Sequence, residues 1–124
     1  MHFGRREPRL ETNLAVTLWG IGAEGMPFSQ EVVARNLSGQ GALLSGVDQE
    51  VRCGDFVLIQ YREKRARFRV VWVRKSDNGD KNRVAVQRLR SEECPWPDVL
   101  LQNHIVIAPD VQEEQPAPEY ATSR

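Results

Sequence analysis

The stretch ARFRVVWVRKSDNGDKNRVAVQRL, residues 66–89, decides the fold class. Arg67 and Arg69 alternate with Phe68 and Val70, and the apolar run continues through Val71, Trp72 and Val73. A two-residue period sends successive side chains to opposite faces of a strand. Ser76–Asp80 then carries Asn78-Gly79, a pair that readily takes the positive φ angles of a tight hairpin turn. Alternation resumes from Arg83 to Leu89. The stretch predicts an antiparallel hairpin with strands at Ala66–Lys75 and Arg83–Leu89, and with Phe68 and Trp72 mainly in the core.

The same signal recurs upstream. Leu14, Val16 and Leu18 alternate with Ala15, Thr17 and Trp19, which predicts a strand over Asn13–Trp19. Gly20–Pro27 holds three glycines and a proline and reads as a loop. Glu31–Leu37, with β-branched Val32 and Val33, reads as a second strand, and Asn36–Gly41 as a tight turn. Ala42–Leu44 is a short buried strand. Cys53-Gly54-Asp55 punctuates the chain before a further strand at Phe56–Tyr61. Six closely spaced strands predict an all-β fold, a small antiparallel barrel or sandwich.

Downstream, Pro95-Trp96-Pro97 ends the strand pattern. Asp98 is expected to cap a short C-terminal helix carrying Val99, Leu100 and Ile105 on one face. From Pro109 on, Gln, Glu, Pro and Ala dominate, with little to bury against the entropy of ordering. The expected division is a flexible N-terminal segment over 1–12, a folded body over 13–108, and a disordered acidic tail over 109–124.

The chain has 124 residues and a formal net charge of +0, which fits one ordinary domain. The zero conceals segregation. Residues 62–90 carry 11 basic and 3 acidic side chains, a net of +8, and residues 91–124 carry 1 basic and 7 acidic, a net of −6. An anionic partner for the middle segment is compatible with that asymmetry. The longest apolar runs, such as Val70–Val73, fall far below the ~18 residues of a membrane span. The first ten residues lack the apolar core of a secretory signal. Cys53 and Cys94 form no CxxC pair, so the expected location is the reducing cytoplasm.

Catalysis finds no constellation to work with. His2 and His104 are far apart, and His104 sits in an apolar stretch that favours a packing or helix-surface role. No zinc spacing, phosphate loop or nucleophile elbow is present. Asp77 and Asp80 flank a glycine turn and read as turn residues. The chain is read as a binding protein and not an enzyme, with no metal and no cofactor.

Two short segments carry more chemistry. Arg5 and Arg9 stand four apart around Pro8, which opposes a helix here. In an extended segment they can act as a clamp, because guanidinium is planar, always charged and able to pair bidentately with phosphate or a guanine edge. The second segment, Asn36-Leu37-Ser38-Gly39-Gln40-Gly41, reads first as a turn in which Asn and Ser bond their own backbone and glycine supplies positive φ. It can also present the Asn36 amide and the Ser38 hydroxyl to a base or ribose, with Gly41 allowing close approach.

In this order, Arg5 and Arg9 followed by Asn36, Ser38 and Gly41 resemble the PilZ domain family, whose signature is RxxxR and then (D/N)xSxxG. The resemblance covers about residues 4–90. Gly54-Asp55 before a strand, Val70-Val71-Trp72 and the strand Arg83–Arg88 agree with it. Asn36 stands where Asp is commoner, and Ala85 where many relatives have Gly.

The resemblance implies a six-stranded antiparallel β-barrel that receives cyclic di-GMP, a bacterial second messenger. Arg5 and Arg9 would then be the clamp, with Arg6 as a helper. Asn36 and Ser38 would recognise the guanine edge, and Gly41 would permit close approach. The ordered clamp would meet an effector protein, for which the C-terminal helix and acidic tail are candidate contacts. Two other readings stand beside it. One is a PilZ-like adaptor that binds a protein partner without nucleotide. The other is a β-barrel nucleic-acid module using the +8 segment with Tyr61, Phe68 and Trp72. Nucleic acid is the less favoured partner, since Phe68 and Trp72 read as core and Arg67 and Arg69 as a solvated face.

Overall fold

The structure, a computed structural model, describes residues 8–22, 24–75 and 81–105. Its strands are β1 (Leu14–Ile21), β2 (Pro27–Arg35), β3 (Gly41–Val47), β4 (Phe56–Tyr61), β5 (Lys64–Arg74) and β6 (Asn82–Arg88), followed by helix α1 (Pro97–Gln102). They close into a barrel in the order β1-β2-β3-β6-β5-β4, with every pair antiparallel. Each half is a three-stranded meander, and the halves join where β3 meets β6 and β1 meets β4. Of the barrel and the sandwich, the chain forms the barrel. Closure gives each of the six strands a hydrogen-bonded neighbour on both sides, although the β1–β4 and β2–β3 seams are only three residue pairs long.

The inward rows follow from the two-residue period. Val16 and Leu18, Val32 and Ala34, Ala42 and Leu44, Val57 and Ile59, Ala66, Phe68 and Val70, and Val84 and Val86 all point into the barrel. Buried Leu37, Trp96 and Leu100 join the same core. The Trp96 and Phe68 rings lie 5.7 Å apart at 33°, and Phe68 is fully buried as expected.

The hairpin read from 66–89 is present, with Arg74 opposite Arg83. The Asn78-Gly79 turn itself lies outside the described residues. One residue departs from the reading. The β5–β6 register shifts between Val70 and Trp72. This bulge turns both Val71 and Trp72 outward, 41% and 39% exposed. Trp72 is therefore not in the core, and the Arg74 guanidinium lies 5.1 Å from its ring centroid.

The expected loop over Gly20–Pro27 shrinks to a tight turn, because β1 runs to Ile21 and β2 begins at Pro27. There the Gly22 N–H donates to the Met26 carbonyl at 2.8 Å.

Helix α1 starts differently from expectation. The N-cap position is Trp96, with no side-chain cap bond, and Asp98 lies inside the first turn. Pro97 at the helix start has no N–H to leave unsatisfied, and Asp98 still faces the positive end of the helix dipole. Ile105 lies beyond the helix yet packs against the core. Its N–H donates to the Leu100 carbonyl at 2.9 Å, and the His104 N–H donates to Leu101 at 2.9 Å. His104 has φ 63. This is the Schellman stop, with His104 in the left-handed position that glycine prefers. His104→Gly should raise stability by about 1 kcal/mol, read as a higher urea midpoint with unchanged slope.

Candidate functional site

The turn joining β2 to β3 is built by its own side chains and held by its neighbours. Asn36 takes φ 55, so the left-handed residue here is the asparagine. Asn tolerates that conformation better than most residues. The Ser38 hydroxyl accepts the N–H groups of Gln40 and Gly41, both at 3.1 Å. Ser38 is itself buried. Three groups outside the turn fix its carbonyls. Trp96 Nε1 donates to the Ser38 oxygen at 2.9 Å, Arg88 Nε donates to the Gly39 oxygen at 2.8 Å, and the Arg88 backbone N–H donates to Gln40 at 2.6 Å. The buried Arg88 guanidinium also donates to the carbonyls of Leu89 and Glu92.

The fourth tie connects the turn to the N-terminal segment. Leu10 and Leu37 exchange both backbone hydrogen bonds, at 2.7 and 2.8 Å. This single bridge fixes the chain just after Arg9 beside Asn36 and Ser38. Arg9 of the first sequence segment thus meets the second segment in space, although about thirty positions separate them in the chain.

They meet at an open depression of about 650 Å³ on the outer face of β3, β6 and β5. Its floor is set by register: Leu43 pairs with Ala85, and Ala85 pairs with Trp72. That gives an apolar row across three strands. Arg9, Asn36, Gln40, Gln87 and Arg90 also line the depression, with Val71 beside Trp72. A flat apolar floor bordered by amides and guanidinium groups can take a planar, hydrogen-bonding ring joined to an anionic group. Ala85, at the floor's centre, supplies one methyl there.

The expected site residues divide as follows. Arg9, Asn36, Ser38 and Gly41 all line this depression. Arg5 and Arg6 lie outside the described residues. Ser38 has a task beside the base contact expected of it: its hydroxyl oxygen accepts two N–H groups of the turn, which leaves its O–H to donate. Gly41 is also needed for another reason. A Cβ at this position would come within 2.4 Å of the Val86 carbonyl oxygen, so the glycine permits β3 to approach β6. Gly41→Ala should therefore lower stability by about 1–3 kcal/mol, measured by thermal unfolding, before any effect on ligand.

The structure adds Trp72, Val71, Gln87 and Arg90. The signal for Trp72 was in the sequence. Val70-Val71-Trp72-Val73 breaks the strict alternation before it, and a broken period within a strand marks a bulge. Gln87 follows from β6 alternation once the outward face of β6 is known. Nothing in the sequence marked Arg90.

Among the aromatics assigned to a nucleic-acid module, Phe68 is buried and Arg62 lies 5.0 Å from the Tyr61 ring centroid. The basic outer face of β5 is partly engaged within the chain. Arg67 Nη2 lies 2.8 Å from Glu92, and the Arg67 backbone N–H donates to the same carboxylate at 2.9 Å. These bonds, the side-chain one first, hold the Glu92 carboxyl below its ordinary range against a small opposing effect of burial. The tie is present at neutral pH and is lost as pH falls through the lowered folded-state value. Among the described residues, no cluster of His, Cys, Asp and Glu has the makings of a metal site. No described helix is long and apolar enough to cross a membrane.

No family model, curated protein or solved structure matches the chain.

Proposed function

We propose that the chain is a receptor for cyclic di-GMP in bacterial second-messenger signalling, acting in the cytoplasm by binding and not by catalysis. The observation that carries this reading is the Leu10–Leu37 bridge, which sets Arg9 at the rim of the same depression as Asn36. The resemblance of the two segments to the PilZ signature supplies the ligand's identity.

One guanine lies on the Leu43–Ala85–Trp72 floor, with its ring against the Trp72 face. Asn36 and Gln87 offer amides to the base edge. Arg9, joined by Arg5 and Arg6 from the N-terminal segment, pairs with phosphate and the second base. Ser38 shapes the turn and keeps its O–H to donate to the ligand, and Gly41 lets β3 and β6 close. The turn is already tied at Leu37, Ser38, Gly39 and Gln40, so its ordering costs the complex little. The arginine segment is the element whose state the ligand biases, and its differential affinity for the closed clamp is the energy available for signalling. The reordered surface then meets an effector protein.

Calorimetric titration with cyclic di-GMP, with GTP and GMP as controls, tests the proposal. Saturable heat with cyclic di-GMP alone is expected, with stoichiometry separating one ligand from a stacked pair. Folded protein that gives no heat at ligand concentrations of about 100 μM would rule it out, since that bounds binding to weaker than about 5–6 kcal/mol.

A further inference from the structure

We propose a second binding surface, away from the depression: a groove on the β1–β4 face that takes an amphipathic helix with acidic flanks from a partner protein. The surface is set by three adjacent outward rows. β1 contributes Trp19 and Ile21, 41% and 60% exposed, and β4 contributes Phe56, 59% exposed, and half-buried Leu58. Trp19 pairs with Leu58, which places the two apolar rows side by side. Monomeric surfaces seldom gather exposed aromatic and aliphatic side chains in this way without a partner. β5 supplies the third row. Register sets Arg69 opposite Phe56, Arg67 opposite Leu58 and Arg65 opposite Gln60. An apolar stripe therefore runs beside a stripe of arginines.

Three observations select the occupant. First, a cleft of about 410 Å³ opens between Trp19, Phe28, Val57 and Leu58. The cleft is shallow and its walls are mostly apolar side chains, so it suits the apolar face of a partner. Second, β1 and β4 pair from Thr17 to Trp19 and from Leu58 to Gln60, which holds their outward rows side by side as one stripe on which a peptide can lay a helix face. Two strands at about 4.8 Å spacing give a stripe about one helix diameter wide. Third, the arginine row requires carboxylates along one flank of that helix. Arg69 lies 5.4 Å from the Phe56 ring centroid, so charge and apolar contact fall within one footprint. Arg67 already holds Glu92, so Arg65 and Arg69 carry the recognition.

The probes are synthetic helical peptides with one leucine-and-phenylalanine face, flanked either by glutamates or by lysines. Each is titrated by fluorescence anisotropy, alongside vesicles of phosphatidylcholine and phosphatidylserine. The glutamate-flanked peptide should bind at least tenfold more tightly than the lysine-flanked one. Phe56→Ser and Arg69→Ala should each weaken it at least fivefold while melting temperature stays within a few degrees. Equal binding of both peptides, binding indifferent to Phe56→Ser, or no binding overturns the proposal. So does Phe56-dependent adsorption to the vesicles or a Phe56-dependent dimer in sedimentation without peptide binding. Cyclic di-GMP heat is read on the same variants. Its loss from wild-type protein bears on the receptor reading and leaves this surface standing.

Discussion

Trp96→Ala should destabilise the barrel by about 3–5 kcal/mol, the range for removing a large buried aromatic side chain. Trp96 is 1% exposed and its ring packs on Phe68. Domains of this size have about 5–15 kcal/mol in total, so much of that stability is at stake. The substitution also strips the Ser38 carbonyl of its buried donor. Trp96→Phe separates the two effects. It keeps most of the ring but leaves that carbonyl unpaired, at a cost of about 1–3 kcal/mol. Chemical denaturation of the three proteins checks the order: wild type, then Trp96→Phe, then Trp96→Ala. A Trp96→Phe protein as stable as wild type would show that the indole hydrogen bond does not secure the turn.

The second large effect falls on ligand affinity. Arg9→Ala should weaken cyclic di-GMP by about tenfold or more, because a desolvated charge-assisted or cation–π contact is worth roughly 1–3 kcal/mol. Arg5→Ala should act alike, and the double variant should lose about a hundredfold if the two contacts are independent. Arg9 is exposed, and no described contact makes it part of the core, so the melting temperature should not move. Arg9→Lys separates geometry from charge. Lysine keeps the charge but lacks the planar fork, so it should restore little. Wild-type affinity in Arg9→Ala would remove the clamp.

Most of the fold was legible because a half-buried strand writes its period into the sequence. The clearest case is β5, where Arg65, Arg67 and Arg69 alternate with Ala66, Phe68 and Val70, while β4 reads as a strand from its short apolar run Phe56–Ile59, and the turns use Gly, Asn and Asp. β3 was shortened to Ala42–Leu44 because Ser45 and Gly46 interrupt the apolar run. The chain continues through them with a register shift and a left-handed Gly46. Trp72 was misplaced because strict alternation fails at a bulge, and one extra residue reverses every face that follows. The helix cap was misassigned because Asp98 looked like a capping residue, whereas Pro97 already fixes the start one position earlier.

The site was legible in part. Asn36, Ser38 and Gly41 were recognisable by their spacing, but spacing does not say what each does. Ser38 turns inward because two backbone N–H groups in a tight turn need an acceptor. Gly41 answers to the Val86 carbonyl across the β3–β6 seam, a contact between residues far apart in sequence. Arg88 and Trp96 support the turn from the barrel interior. A strand-end arginine and a tryptophan between two prolines gave no local sign of that, because the support is tertiary. Net charge was the least informative feature. A ligand with two phosphates needs a few placed arginines, while the +8 segment places much of its charge on the outer face of β5.

The measurement that tests the central claim most directly is the footprint of cyclic di-GMP on the amide resonances of the ¹⁵N-labelled protein. The largest shifts should fall at Arg9–Leu10, Leu37–Gly41, Val71–Trp72 and Ala85–Gln87, with the Trp72 indole N–H among them. The β1–β4 face around Trp19 and Phe56 should stay still. Shifts centred on that face, or no shifts at saturating ligand, would contradict the assignment of the depression as the nucleotide site.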